Sequence, residues 1–373
     1  YFVLADGGAS RSGYWVAQAL GRLSEEARPG FTDRLLCLSG ASGGSVGIGT
    51  YHALLSKAAG GSKKGLKNDA RSILGEDFLA PTLSTMLCND VVNQLAPIFN
   101  DRARTLEKSM ELAAARFGDP FVVGMKQLRA TNDGGLPILC LNTVRMQDGR
   151  PAYSSNVALD EPAFSARLDV PGLLPNALDI RQSSAMVLSS RFPYISPAGR
   201  VDHQRVGDTA NGEPPVVPLV SYFVDGGYFD NSGAGVVDEL ISALGTLLAS
   251  DDPAFAPYRN RLAYNVIHIS NTEPGTAVLT RVHPMLNDAA APLLTVAGTY
   301  ASQTDVNNAR LRRRLSALPD AHYCEVNLYE SVKGKPDLKP MSMNWVISDA
   351  TRHRMDHITD THYRLDSLID VIR

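Results

Sequence analysis

Five short apolar runs punctuate the chain, at residues 1–5 (YFVLA), 35–39 (LLCLS), 136–144 (LPILCLNTV), 220–224 (VSYFV) and 263–270 (AYNVIHIS). A run apolar at every position suits a strand covered on both faces, as strands of a parallel sheet are. Between these runs, residues 13–27, 46–59, 104–117, 234–248 and 348–372 carry apolar residues at three-to-four spacing, the pattern of helices with one buried face. Alternating strand and helix signals predict an open, layered α/β sheet.

The composition fits a folded globular chain: of 373 residues, 44% are hydrophobic and 20% charged. Glycine, proline and charge concentrate at residues 58–69 and 196–218, which read as surface loops inside one domain. No 20–50-residue period repeats, which argues against a solenoid or propeller. A net charge of -3 with no basic segment argues against a nucleic-acid partner. Cys37, Cys88, Cys140 and Cys324 are scattered, without a C-x-x-C pair, and read as reduced core residues. No run of eighteen apolar residues occurs, and no signal-peptide pattern opens the chain. Because Tyr1 enters directly as a strand, the expectation is that the natural protein continues upstream with a targeting or anchoring segment, in a cytoplasmic or membrane-peripheral setting.

Chemistry concentrates where the second apolar run breaks into Gly40-Ala41-Ser42-Gly43-Gly44 and helical spacing resumes at Val46. This G-x-S-x-G form lifts a serine hydroxyl on a sharp strand-to-helix turn, where bulky neighbours do not fit. The tripeptide Asp-Gly-Gly occurs three times, at Asp6, Asp133 and Asp225. Asp133 lies in a polar loop and reads as a turn. Asp6-Gly7-Gly8-Ala9-Ser10-Arg11 links the first strand to the first helix, where backbone N–H groups and the helix dipole favour an anion and suit an oxyanion hole. Asp225 follows the fourth apolar run, at the end of a buried strand, where open α/β sheets place their ligand sites. Tyr222, Phe223 and Tyr228 surround it in sequence and predict a raised pKa, which makes it the candidate base for Ser42.

In this order, the three motifs resemble those of the patatin-like phospholipases, which share a core with cytosolic phospholipase A2: an oxyanion loop D-G-G-G-x-R/K, a G-x-S-x-G elbow and a D-G-G/A motif. The segments SSAMVLSSRFPYISPAG (183–199) and YFVDGGYFDNSG (222–233) are similar to the family's stretch through the aspartate, and MNWVISDATRHRMD (343–356) is a weaker echo of its C-terminal helix. The resemblance implies a three-layer α/β/α fold with a mostly parallel central sheet, forming one catalytic domain over residues 1–373 with a helical extension at about 275–373. It further implies a Ser42–Asp225 catalytic dyad, an oxyanion hole from the amides of Gly7, Gly8 and Ala9, and Arg11 placed for a substrate phosphate, a salt bridge at the helix start being the alternative. Ala9 departs from the family's third glycine.

The activity so implied is a lipid acyl hydrolase working through an acyl-enzyme. Its partner would be a lipid ester, phospholipid foremost, with peripheral membrane contact; an acyltransferase or a silent lipid-binding scaffold on the same fold remain alternatives. No cofactor or metal is expected, and no EF-hand-like ligand series occurs. His268, inside a strand, reads as a sheet histidine rather than as the third member of a Ser-His-Asp triad. The arginines 310, 312, 313 and 314 read as a solvated helix face, and Phe192, Pro193 and Tyr194 as core before acyl pocket.

Overall fold

The computed structural model describes all residues except 28–29, 59–63, 94–100, 160–161, 192–195, 208, 210–213, 260, 274–286 and 338. Phe192, Pro193 and Tyr194, considered for an acyl pocket, lie outside the described residues. The centre of the molecule is a mostly parallel sheet flanked by helices, an α/β arrangement consistent with three layers.

Its strands are β1 (Phe2–Ala5), β2 (Cys37–Ala41), β3 (Ile138–Arg145), β4 (Pro151–Ser155), β5 (Leu168–Asp169), β6 (Gly199–Val206), β7 (Val216–Asp225), β8 (Tyr264–Ser270) and β9 (Ala321–Asn327), and the main path runs β5-β4-β3-β2-β1-β8-β9. β1 pairs in parallel with β2 and β8, β2 with β3, and β8 with β9. Alternate side chains go to opposite cores. Val3, Ala5 and Leu38 join one apolar cluster, while Phe2, Leu4 and Cys37 join the other, so both faces of these strands are buried and carry apolar residues.

The helices that matter for the site are α1 (Ala9–Glu26), α2 (Gly43–Lys57), α3 (Leu79–Leu87), α4 (Arg102–Ala114), α5 (Gln182–Ser189), α6 (Ala234–Ala249), α7 (Asn287–Ser316), α8 (Asp349–Thr361) and α9 (Tyr363–Ile372). α1 begins at Ala9, four residues earlier than its periodicity indicates, because Gly8 leads straight from the strand into the helix. Ser10 to Ser24 are all buried, since α1 lies between the sheet and the C-terminal helices. Tyr14 donates to Asp356 of α8 at 2.7 Å, and Arg22 holds the Thr359 carbonyl at 2.8 Å and Asp366 of α9 at 2.6 Å.

Four expectations change. The run at 220–224 lies not in a parallel strand but in β7, which is antiparallel to both β3 and β6 and alternates more and less exposed positions along its length. The stretch from about 275 is not a purely helical extension: β9 forms an edge of the central sheet, and Tyr329, Met341, Trp345 and Met355 belong to the main core. The helical pattern over 348–372 breaks at His362, whose extended backbone (ψ 112°) ends α8 while its ring caps the Arg364 N–H at 3.2 Å. Of the cysteines, Cys37 and Cys140 are buried as expected, but Cys88 is exposed and Cys324 half-buried. No described helix is long and apolar enough to cross a membrane.

Candidate active site

Strand β3 brings the two motifs together. Along one of its edges it pairs first with β2, up to Ala41 opposite Asn142, and then with β7, beginning with Asp225 opposite Thr143. β2 and β7 therefore meet end to end on that edge, and the residue after β2, Ser42, comes level with the last residue of β7, Asp225. Its other edge belongs to β4.

Ser42 sits at φ 52°, ψ -129°, a combination a non-glycine residue adopts at a cost of about 1–3 kcal/mol. The surrounding structure imposes it. The Ser42 N–H donates to the Ser189 carbonyl at 3.0 Å, and Ser45 Oγ beneath the turn donates to the Gly40 carbonyl at 2.7 Å. A side chain on Gly44 would collide with the Ala5 carbonyl, and one on Gly43 with the backbone of Ala9, so both positions need glycine for close approach.

Asp225 is buried, with 4% of its surface exposed. Burial raises its pKa from 3.8 to about 6, against the opposing pull of the Gly227 N–H and the Ser42 hydroxyl. The Gly227 N–H donates to Oδ1 at 2.8 Å, while Oδ2 has no partner at ordinary hydrogen-bond geometry among the described residues. The Ser42 hydroxyl thus acts on the carboxylate without closing a tight bond to it, and such nucleophile–base contacts commonly tighten only with substrate.

The loop Asp6 to Ala9 lies against the elbow: a methyl group on Gly7 would fall under 3.0 Å from both Ser42 Cβ and Asn231 Oδ1. Of the three expected oxyanion donors, the Gly7 N–H already donates to the Asn231 carbonyl at 2.9 Å. The N–H groups of Gly8 and Ala9 engage no acceptor among the described residues. Ala9 takes φ 52° despite its methyl, in the left-handed region that favours glycine. α1 and α2 both start here, and their positive ends converge on Ser42.

Arg11 is not available to a substrate phosphate. It is 4% exposed, and its fork donates to the Met341 carbonyl (2.6 Å), Tyr329 Oη (3.0 Å), Asn271 Oδ1 (2.7 Å) and Glu273 (3.2 Å). It is the salt bridge at the helix start, and its place in the site is behind the loop. His268 is likewise structural. Its Nε2 meets Asp6 Oδ1 at 2.6 Å and its Nδ1 meets Tyr323 Oη at 2.7 Å. Burial pulls its pKa down, but the Asp6 carboxylate, with the charge of Glu325, more than offsets this and leaves it raised. Among the arginines of α7, Arg312 pairs with Glu325 at 3.0 Å and Arg314 with Asp238 at 2.6 Å.

Two residues escape the sequence patterns. Asn231 and Asn271 both touch the loop Asp6 to Ala9: the first through the contacts of Gly7, the second by donating from Nδ2 to the Gly7 carbonyl at 3.0 Å. The signal that finds Asn271 is its position. β8 is parallel to β1 with Ile269 opposite Ala5, so the polar residues just beyond its end fall level with Asp6 and Gly7. No group of three or more metal-binding side chains forms among the described residues. A groove of about 600 Å³ lies elsewhere, between α6 and Leu318, and none of its lining residues belongs to the Ser42 site.

Comparison with models of known protein families gives no match, and no curated protein matches the chain in sequence.

Proposed function

We infer that the chain is a serine acyl hydrolase of the patatin-like kind, acting on lipid esters through a Ser42–Asp225 dyad. The observation that carries this is the pairing of a strained serine on a tight turn with a buried carboxylate whose pKa is raised to about 6 and whose Oδ2 is unpartnered among the described residues. A carboxylate of ordinary pKa is a weak base, whereas one titrating near neutrality is suited to take a proton from a hydroxyl. In the proposed reaction Ser42 Oγ attacks the ester carbonyl carbon as its proton passes to Asp225 Oδ2. The oxyanion takes hydrogen bonds from Gly8 and Ala9. Collapse of the tetrahedral intermediate expels the alcohol, which recovers the proton, and water then releases the acid by the same route.

Lipid is the substrate class that best suits the surroundings. α3 is built inside out: Thr82 and Thr85 are buried, while Leu83 and Leu87 are exposed at 37% and 69%. The segment that starts this helix is tied to the site. The Trp345 carbonyl accepts from Phe78 and the neighbouring Asn344 carbonyl from Ser10, with Met343 beside them exposed at 63%. An outward apolar face on a helix whose first turn is bonded to the segment that holds Ser10 supports peripheral contact with a lipid surface. With Arg11 committed to the protein, no described cation of the site favours phospholipid over other lipid esters.

The test is labelling by a fluorophosphonate followed by peptide mapping, on the wild type and on Ser42→Ala and Asp225→Asn. Label on Ser42 that is lost in both variants is the expected result. A folded wild type that neither labels nor hydrolyses lipid esters would make the chain a silent scaffold.

A further inference from the structure

The peptide between Gly7 and Gly8 is where the expected oxyanion hole is made or lost, and its orientation has a visible cause. A trans peptide points its C=O and the following N–H to opposite sides. The Gly7 carbonyl is held by Asn271 Nδ2 at 3.0 Å, so the Gly8 N–H faces away from Asn271. The Gly7 N–H is fixed at the same time by the Asn231 carbonyl at 2.9 Å.

Asn271 is itself oriented. It is 4% exposed, and its Oδ1 receives Arg11 Nη2 at 2.7 Å. A guanidinium donates and never accepts, and a backbone carbonyl accepts and never donates. Only a side chain presenting an acceptor to Arg11 and a donor to Gly7 satisfies both, so the carboxamide has a single permitted orientation. Arg11 is locked in turn by Met341, Tyr329 and Glu273. A rigid chain of hydrogen bonds therefore runs from the segment beyond β9 to one peptide plane beside Ser42.

We propose that Asn271, oriented by Arg11, is the positioning residue that sets the Gly7–Gly8 peptide so that the Gly8 N–H faces the oxyanion. This rests on the acyl-hydrolase assignment and adds to it the residue that keeps the hole formed. It also gives Arg11 its task, which is orientation of Asn271 rather than contact with substrate.

Asn271→Asp is the informative substitution. It matches the shape of asparagine and keeps an acceptor for Arg11, but sets an acceptor against the Gly7 carbonyl. The peptide relieves that clash by flipping, which turns the Gly8 N–H toward the introduced carboxylate and removes it from the site. Losing one oxyanion donor lowers kcat by about 100-fold or more. Asn271→Ala removes the donor without adding a repelling acceptor and leaves the peptide free to sample both orientations, so its loss is smaller.

The experiment measures kcat and KM on a soluble ester, affinity for a trifluoromethyl ketone, which forms a tetrahedral adduct with serine, and thermal midpoint for the wild type and both variants. The expected result is that kcat and ketone affinity fall together, most in Asn271→Asp, with KM little changed, while the midpoint falls more in Asn271→Ala, which strands the buried groups that Asn271 bonds. A purely structural role predicts the reverse order, with the isosteric Asp mildest, and that result overturns the proposal; so does an Asn271→Asp enzyme within about threefold of wild-type kcat, far short of the loss of an oxyanion donor. Should the Asp variant fail to fold, Asn271→Ala decides alone: reduced kcat at unchanged KM supports the proposal, and unchanged kcat overturns it. A wild type without hydrolysis or labelling removes the acyl-hydrolase assignment and this inference together, an outcome separate from an active wild type with an active variant.

Discussion

Replacing Asp225 with asparagine is expected to abolish hydrolysis and, above pH 7, to stabilise the protein. The carboxyl titrates at about 6 in the folded chain against an ordinary 3.8, with burial as the main cause. Below pH 3.8 folded and unfolded states both hold the proton, and the group contributes nothing to pH dependence. As pH rises from about 4 to about 6, the unfolded state sheds the proton while the folded state keeps it, so stability falls with pH across that window and levels off above it. Each tenfold difference in proton affinity between the two states is worth about 1.4 kcal/mol, so the total comes to about 3 kcal/mol. Asparagine avoids it: its Oδ1 can still accept the Gly227 N–H, and it carries no charge to bury. The assay is urea unfolding of the wild type and Asp225→Asn at each pH from 4 to 8. The two should be similar at pH 4 and diverge to about 3 kcal/mol in favour of the variant by pH 7, or about 1 M in midpoint for a urea slope of about 3 kcal/mol/M. The wild-type kcat/KM should show an acid limb near pH 6. Midpoints that stay parallel across the range, with an acid limb near pH 4, would refute a buried, raised carboxyl and with it the choice of Asp225 as base.

Ser42→Gly should raise stability by about 1 kcal/mol while removing activity, because glycine occupies φ 52°, ψ -129° without the strain serine bears, and Ser42→Ala should show no such gain; calorimetry on the pair separates them. Gly44→Ala drives a methyl into the Ala5 carbonyl and should cost about 1–3 kcal/mol or more with loss of labelling, read by thermal melting and fluorophosphonate gels. His268→Ala leaves the Asp6 carboxylate buried without its partner and should cost about 3–5 kcal/mol by urea unfolding, yet the surviving hydrolysis should keep its acid limb near pH 6 because Asp225 remains the base. The pH dependence of stability from His268, full below its ordinary pKa and lost as pH rises through the raised folded value, should vanish in that variant. Leu83→Asp with Leu87→Asp should reduce hydrolysis of esters in vesicles and leave a soluble ester unaffected; equal loss on both would remove α3 from any role at a lipid surface.

Strand and helix alternation was legible because it is local chemistry. The runs containing β1, β2, β3 and β8 place apolar residues on both alternating faces, the mark of double-sided burial, although β3 and β8 each carry three polar residues. β7 misled because its last residues are apolar enough to imitate a parallel strand, while its antiparallel pairing depends on the returning β6 hairpin. β4, β5, β6 and β9 carried no comparable signal: β4 opens on a proline and ends on two serines, β5 has two residues, β6 is polar and β9 mixes His322, Glu325 and Asn327 with its apolar residues at the sheet edge. The turns around Ser42 and Gly7 announced themselves through glycine, since no other residue permits the observed approach of backbone to backbone.

What the chain's order of residues determined alone is therefore the layered α/β class, the strained position of Ser42 and the end-of-strand position of Asp225, all consequences of periodicity and of glycine's missing side chain. What only the tertiary structure decided is how those pieces face one another. The end-to-end meeting of β2 and β7 on β3 sets Ser42 level with Asp225 across 183 residues of chain. The burial that raises the Asp225 pKa, the capture of Arg11 by Met341 and Tyr329, and the hold of Asn271 on Gly7 come likewise from segments distant in sequence. Hydrogen-bond partners and dielectric surroundings are properties of assembled neighbours, and no pattern within one segment encodes which neighbour will arrive.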